Sequence, residues 1–334
     1  MASTCKKEKP IKFIFSEQET GLNASARGIY AVDEQTVWLV NSKGAYARTI
    51  DGGETWQSDL IAGVDTLDFR DVFAVDGETA LAMSAGTGAS SRIYKTTDGG
   101  KSWALQFQNT EPKAFFDAFD FWDEQNGILI SDPIGNKPYL LLTADGGTTW
   151  TAIDSTRLPA IQKGEYGFAA SGTCIAVEGE QNVWLATGGS VARVFYSGDR
   201  GATWTVFDTP MTSAAEAKGI FSVAFADAQN GVVVGGDYSK PELAQKNVAF
   251  TADGGRSWSL AEQADSVGYQ SCVQFLGKKT YLATGTNGTN YSLDGGKSWQ
   301  NASPKGFHAI ALPPSRKVAW LVGAKGKMMK VVGF

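Results

Sequence analysis

The stretch Thr143-Ala144-Asp145-Gly146-Gly147-Thr148-Thr149-Trp150 decides the fold, because the same framework, Thr/Ser-x-Asp-Gly-Gly-x-Thr/Ser-Trp, recurs at 49–56, 96–103, 251–258 and 292–299, and at 197–204 with Arg200 in place of the first glycine. Such a stretch reads as a tight hairpin: the carboxylate accepts backbone N–H groups, the glycines take positive φ, and the hydroxyl bonds back across the turn. Tryptophan then covers the join, and six of the ten tryptophans occupy this one slot. The aspartates Asp51, Asp98, Asp145, Asp199, Asp253 and Asp294 are 47, 47, 54, 54 and 41 residues apart, the period of one four-stranded blade of a β-propeller.

Outward from each box the chain alternates in the two-residue period of strands. Seven inner strands align: Ile29-Tyr30-Ala31-Val32, Val72-Phe73-Ala74-Val75, Ala118-Phe119-Asp120-Phe121, Cys174-Ile175-Ala176-Val177, Ser222-Val223-Ala224-Phe225, Cys272-Val273-Gln274-Phe275 and Ala309-Ile310-Ala311-Leu312. The seventh unit ends before its box, whereas Ile11-Lys12-Phe13-Ile14-Phe15 is a strand without a blade. An open ring exposes unpaired edges. The expectation is therefore an all-β, seven-bladed propeller over 11–334 whose N-terminal strand completes blade seven; six blades plus a cap is the weaker alternative. The 39 glycines and 43% hydrophobic residues suit that fold.

Net charge is −5, so no basic field draws the chain to nucleic acid. The three cysteines lack metal-ligand spacing, and His308 is the only histidine; no metal or other cofactor is expected. The start, Ser3-Thr4-Cys5-Lys6-Lys7-Glu8-Lys9-Pro10, resembles the beginning of a mature bacterial lipoprotein. Residues 1–10 then read as a tether, with Cys5 lipidated, the membrane reached through it, and the protein extracytoplasmic.

Loops joining second to third strands, and those linking blades, leave the end of the ring opposite the boxes and are the least repetitive segments; function is expected there. They include residues 84–88, 131–135, 235–240 and the long 155–171 with Glu165-Tyr166. Inner strands open with Arg27, Arg70, Asp71, Asp117, Thr173, Ser271 and His308, and Arg92 and Arg193 each lie six residues before a box aspartate. The inner-strand residues are expected to ring the channel mouth, and the four arginines with Asp117, Asp132, Asp237, Tyr238 and His308 to form a mixed-charge funnel for a polar ligand or an anionic group of a partner. The six box aspartates are read as turn formers, and Asp120 as a blade-to-blade contact.

The boxes resemble the bacterial neuraminidase repeat, and their one-per-blade placement is similar to that of the photosystem II stability/assembly factor-like family. Segments 168–174, 219–222, 235–238, 268–272 and 306–309 resemble its non-photosynthetic bacterial branch. The resemblance implies a single propeller that binds protein partners through an arginine patch on one face, for which Arg27, Arg70, Arg92 and Arg193 stand here. Sialidases share the box but need an arginine triad, a tyrosine–glutamate pair and an Arg-Ile-Pro motif, which this chain lacks. Xyloglucanase-type hydrolases set catalytic aspartates between two such propellers. The leading expectation is a monomeric, non-enzymatic binding propeller. The alternative is a glycosidase using a pair of carboxyl groups from Asp117, Asp132 and Asp237.

Overall fold

The computed structural model describes residues 11–262 and 267–334, so the tether with Cys5 lies outside the described residues. Seven antiparallel sheets follow one another around a central channel. Blade 1 runs Ala26–Ala31, Val37–Asn41, Ala45–Thr49 and Gln57–Leu60, and blades 2 to 6 repeat the order of inner, second, third and outer strand. Blade 7 takes Ala309–Ala311, Val318–Val322 and Met328–Val332 from the C-terminus and its outer strand, Ile14–Glu17, from the N-terminus. The closing strand sits about three residues later than its hydrophobic pattern predicts. Phe13 instead packs against the rings of Tyr291 and Phe334.

All six boxes form the same hydrogen-bonded knot. In the first, Thr49 Oγ1 donates to Asp51 Oδ1 at 2.7 Å, and Thr55 N and Thr55 Oγ1 donate to the two carboxylate oxygens at 2.9 and 2.5 Å. These donors hold the Asp51 and Asp98 carboxyls down at about 2. Where the fourth box has Arg200 instead of its first glycine, the backbone still takes φ +54°, and the knot around Asp199 is unchanged.

The boxes also join blade to blade. Gly53 has φ +87°, and a Cβ there would lie 2.7 Å from the Trp320 ring of blade 7. Only glycine serves both demands. Trp38, Trp184 and Trp320, at equivalent places in the second strands of blades 1, 4 and 7, are fully buried. Trp38 and Trp184 donate Nε1–H to the Asp76 and Gly254 carbonyls of the following blade.

Nearer the axis, polar side chains stitch neighbouring inner strands. Asp71 accepts from Phe119 N, Ser222 from Val273 N and Cys272 from Ile310 N. An inner strand has a free edge, and each such bond satisfies a donor that would otherwise be unpaired. Asp120 accepts from Val177 N at 2.9 Å, the expected bridge between blades 3 and 4.

Candidate functional site

At the end opposite the boxes the channel opens into a cavity of about 530 Å³. Its rim is built by one recurring device. The ladder between inner and second strands shifts register at Arg27, Arg70, Asp117 and Phe221 in blades 1, 2, 3 and 5. A bulge leaves one residue unpaired and re-aims its side chain. Thr173, Ser271 and His308 hold the aligned positions in blades 4, 6 and 7. Six of these seven side chains line the cavity; Thr173 instead faces the channel beneath.

The floor is the connection between blades 3 and 4. Glu165–Tyr166 pairs with Gly188–Gly189, Gly188 pairs in turn with Gly219 of blade 5, and the chain then crosses the channel through residues 167–173. Arg27 Nη1 donates to Ala170 O at 2.9 Å and Arg70 Nη1 to Ala169 O at 3.0 Å. Ser171 Oγ donates to Ser271 O, and Thr173 Oγ1 bonds Ser222 Oγ. The crossing segment touches blades 1, 2, 5 and 6, so it plugs the channel. Beneath it lies a second cavity of about 440 Å³, lined by Tyr30, Asp71, Asp120 and Arg316.

Charge and apolar surface are segregated around the mouth. Blades 7, 1 and 2 contribute His308, Arg27 and Arg70. Arg70 pairs with Asp68 at 2.8 Å, whereas Arg27 forms no ion pair among the described residues. Burial, with Arg27 nearby, lowers the His308 imidazole to about 4, so it is neutral at pH 7. Its Nδ1 lies 3.2 Å from Ala26 O. Blades 5 and 6 and the plug supply an aromatic wall. Phe168 stacks on Phe221 with centroids 3.8 Å apart, Tyr269 meets Phe221 edge-on at 4.8 Å, and Tyr166 and Tyr238 extend the cluster.

Blade 3 supplies two carboxyl groups, Asp117 and Asp132. Burial raises the Asp117 carboxyl well above the usual range, the neighbouring Asp132 raises it further, and Arg70 opposes both. Burial lifts Asp132 to about 6. The backbone N–H groups of Ala169 and Gly167 counter the shifts in part, but among the described residues no hydrogen bond reaches Asp117 Oδ2 or Asp132 Oδ1.

Three residues expected in the funnel are placed elsewhere. Arg193 is buried in a two-point ion pair with Glu165, at 3.0 and 2.6 Å, which anchors the start of the plug. Arg92 turns back onto Ala89 O and Tyr94 Oη. The Asp237 carboxylate accepts from Ser239 N and Oγ, closing its own loop. Asp71 and Thr173 lie below the plug. Sequence reasoning overlooked Phe221, although its place in the inner-strand alignment matches that of Arg27 and Arg70. It also overlooked the ring wall of Phe168 and Tyr269, because a chain crossing a channel follows no repeat.

No protein-family model matches the chain. Among curated proteins it is 24% identical over 247 residues to the photosystem II assembly lipoprotein Ycf48 of Synechococcus sp. (strain CC9902), covering 72% of this chain and 62% of that protein. It is 21% identical over 261 residues to the xyloglucanase Xgh74A of Acetivibrio thermocellus, covering 70% of this chain but 30% of that enzyme. The chain thus spans less than two thirds of each of these relatives. Among solved structures it resembles YCF48 from Cyanidioschyzon merolae, with a TM-score of 0.68 at 16% identity over 95% of this chain and 98% of that one. YCF48 bound to D1 peptide gives a TM-score of 0.65 at 19% identity over 98% and 99%. With its repeat and its seven blades, the chain has the fold of the YCF48 propellers and is similar in sequence to the photosystem II assembly lipoprotein Ycf48.

Proposed function

We propose that this protein is a binding propeller of the assembly-factor type, which receives an extended segment of a partner protein in the mouth cavity. The observation that carries the reading is the composite wall: the Arg27 guanidinium, which has no ion pair among the described residues, faces, across the ring, an aromatic surface that ends in the half-exposed Tyr238. Arginine offers planar donors to carbonyl or carboxylate groups, and tyrosine gives contact area at low entropic cost. A cavity of this size takes two or three side chains. That a related propeller has been seen with a bound peptide supports the same reading. The likeness to a lipoprotein supports an extracytoplasmic, membrane-tethered protein, for which Cys5 is the candidate lipidation residue.

The test is to pan a random nonapeptide library against the whole chain. Peptides should enrich on the wild type and be lost on the Arg27→Ala/Tyr238→Ala variant. Failure to enrich any peptide, or equal enrichment on both, would overturn the reading.

A carbohydrate-processing alternative rests on the juxtaposition of Asp117 and Asp132 beside aromatic rings, with the distant likeness to a xyloglucanase. Hydrolysis of sialosides or xyloglucan that disappears in Asp117→Asn would favour it.

A further inference from the structure

We propose that the Asp117–Asp132 pair is a seat for a basic side chain, a lysine ammonium or an arginine guanidinium, carried by the segment that enters the mouth. The proposal deepens the peptide-binding reading and rests on it for the identity of the ligand, but the seat itself is tested without any peptide.

Asp117 is only 2% exposed and lines the cavity, and its Oδ2 has no hydrogen-bond partner. Asp132 Oδ1, beside it, is likewise buried and unpartnered. The backbone N–H groups of Ala169 and Gly167 serve Asp117 and Asp132 in part, but one oxygen of each carboxyl has lost water without gaining a donor, and such orphaned oxygens are costly to keep. Arg70 relieves the pair only through space and donates to neither carboxyl. Arg70 spends Nε and Nη2 on Asp68 and Nη1 on Ala169 O, and none of its hydrogen bonds goes to either carboxyl. Arg27 is directed to Ala170 O. Among the described residues the pair therefore has acceptors and negative charge but no ion-pair partner.

A basic head group meets that need. It brings several N–H donors, so one group serves oxygens on two different carboxyls, and its charge offsets their mutual repulsion. A hydroxyl or amide supplies donors only. The surroundings suit the rest of the side chain: Phe115, Tyr166 and Phe168 line the same cavity, so an aliphatic stem packs on rings while the charged end reaches the carboxyls. The plug fixes the depth, because Gly167 lies against Asp117, where a Cβ would come 2.5 Å from Oδ2.

The experiment titrates the whole chain with n-butylammonium chloride, the lysine side chain alone, and with n-butanol as its neutral counterpart. The amide resonances of Gly167 and Ala169 are followed by NMR at pH 7.5. Saturable shifts are expected with n-butylammonium, at least about tenfold tighter than with n-butanol, and the preference should vanish in Asp117→Asn/Asp132→Asn. Equal affinity for the two probes on the wild type would overturn the proposal without touching the peptide reading. So would an ammonium preference that survives in the double variant, whose fold is checked by its thermal transition. Failure of peptide panning with a retained ammonium preference would instead sink the reading and leave the seat.

Discussion

The two ends of this ring use aspartate in opposite ways. At the box end six aspartates stand in one repeated knot, each carboxylate surrounded by hydroxyl and amide donors that hold it below its usual range. At the mouth, Asp117 is buried and Asp132 half-buried, each has an oxygen without a donor, and both are raised. The rim shows the same contrast: one structural position, bulged in blades 1, 2, 3 and 5, carries Arg27, Arg70, Asp117, Thr173, Phe221, Ser271 and His308. Repetition marks the residues that fold the ring, and its loss at equivalent positions marks those free to do something else.

The comparison can be broken from either end. The largest effect is expected at the seam. Deleting residues 1–17 removes the strand paired to Met328–Val332 and leaves blade 7 with an open edge. Cooperative thermal unfolding should be lost; retention of a sharp wild-type transition would show that the ring does not depend on its closure. Next comes Arg193→Ala, which strands Glu165 in the interior at the base of the plug. Stability should fall by about 3–5 kcal/mol in urea titration, far more than replacement of an exposed arginine.

Removing one knot should cost less. Asp294→Ala frees two backbone N–H groups and two hydroxyls and should cost about 1–3 kcal/mol in the same titration. The pH dependence separates the two kinds of aspartate by sign. An unfolded aspartate titrates near 3.9. Asp132, raised to about 6 in the folded chain, binds its proton more tightly when folded, so its stability deficit at pH 7.5 is relieved as pH falls through 6 toward 4. The box aspartates Asp51 and Asp98, held near 2, contribute stability above about 3.9 that disappears as pH falls toward 2. His308, lowered to about 4, opposes the mouth carboxyls between pH 6.5 and 4, while Asp120 and Asp71 act with them. The Asp117→Asn/Asp132→Asn variant keeps those three groups. Its melting temperature should exceed the wild type's at pH 7.5, and the gap should narrow by pH 5. The smallest stability effect, within about 0.5 kcal/mol, is expected for Tyr238→Ala, whose side chain is half exposed.

How much of this was legible in the chain follows the same division. The boxes, blade number and seam are readable because identical residues recur at a fixed spacing, and each copy answers the same local demand. The mouth is half legible. Arg27, Arg70, Asp117, Asp132, Tyr238, Ser271 and His308 could be placed there from strand position alone. Arg193 could not, because its fate is set by Glu165, 28 residues earlier in a segment with no counterpart in other blades. Asp237 and Arg92 were misplaced for a related reason: strand position fixes where a side chain begins, while nearby backbone donors and acceptors decide where it ends.

The central claim, that the partner sits at the mouth and not at the boxes, is tested most directly by site-specific photocrosslinking. p-Benzoylphenylalanine is placed at Tyr238 on the mouth or at Leu293 in the last box, both about half exposed, and irradiated with a peptide enriched from the library. Crosslinking from position 238 with none from 293 is the predicted result. Crosslinking from 293, or equally from both, would contradict the account.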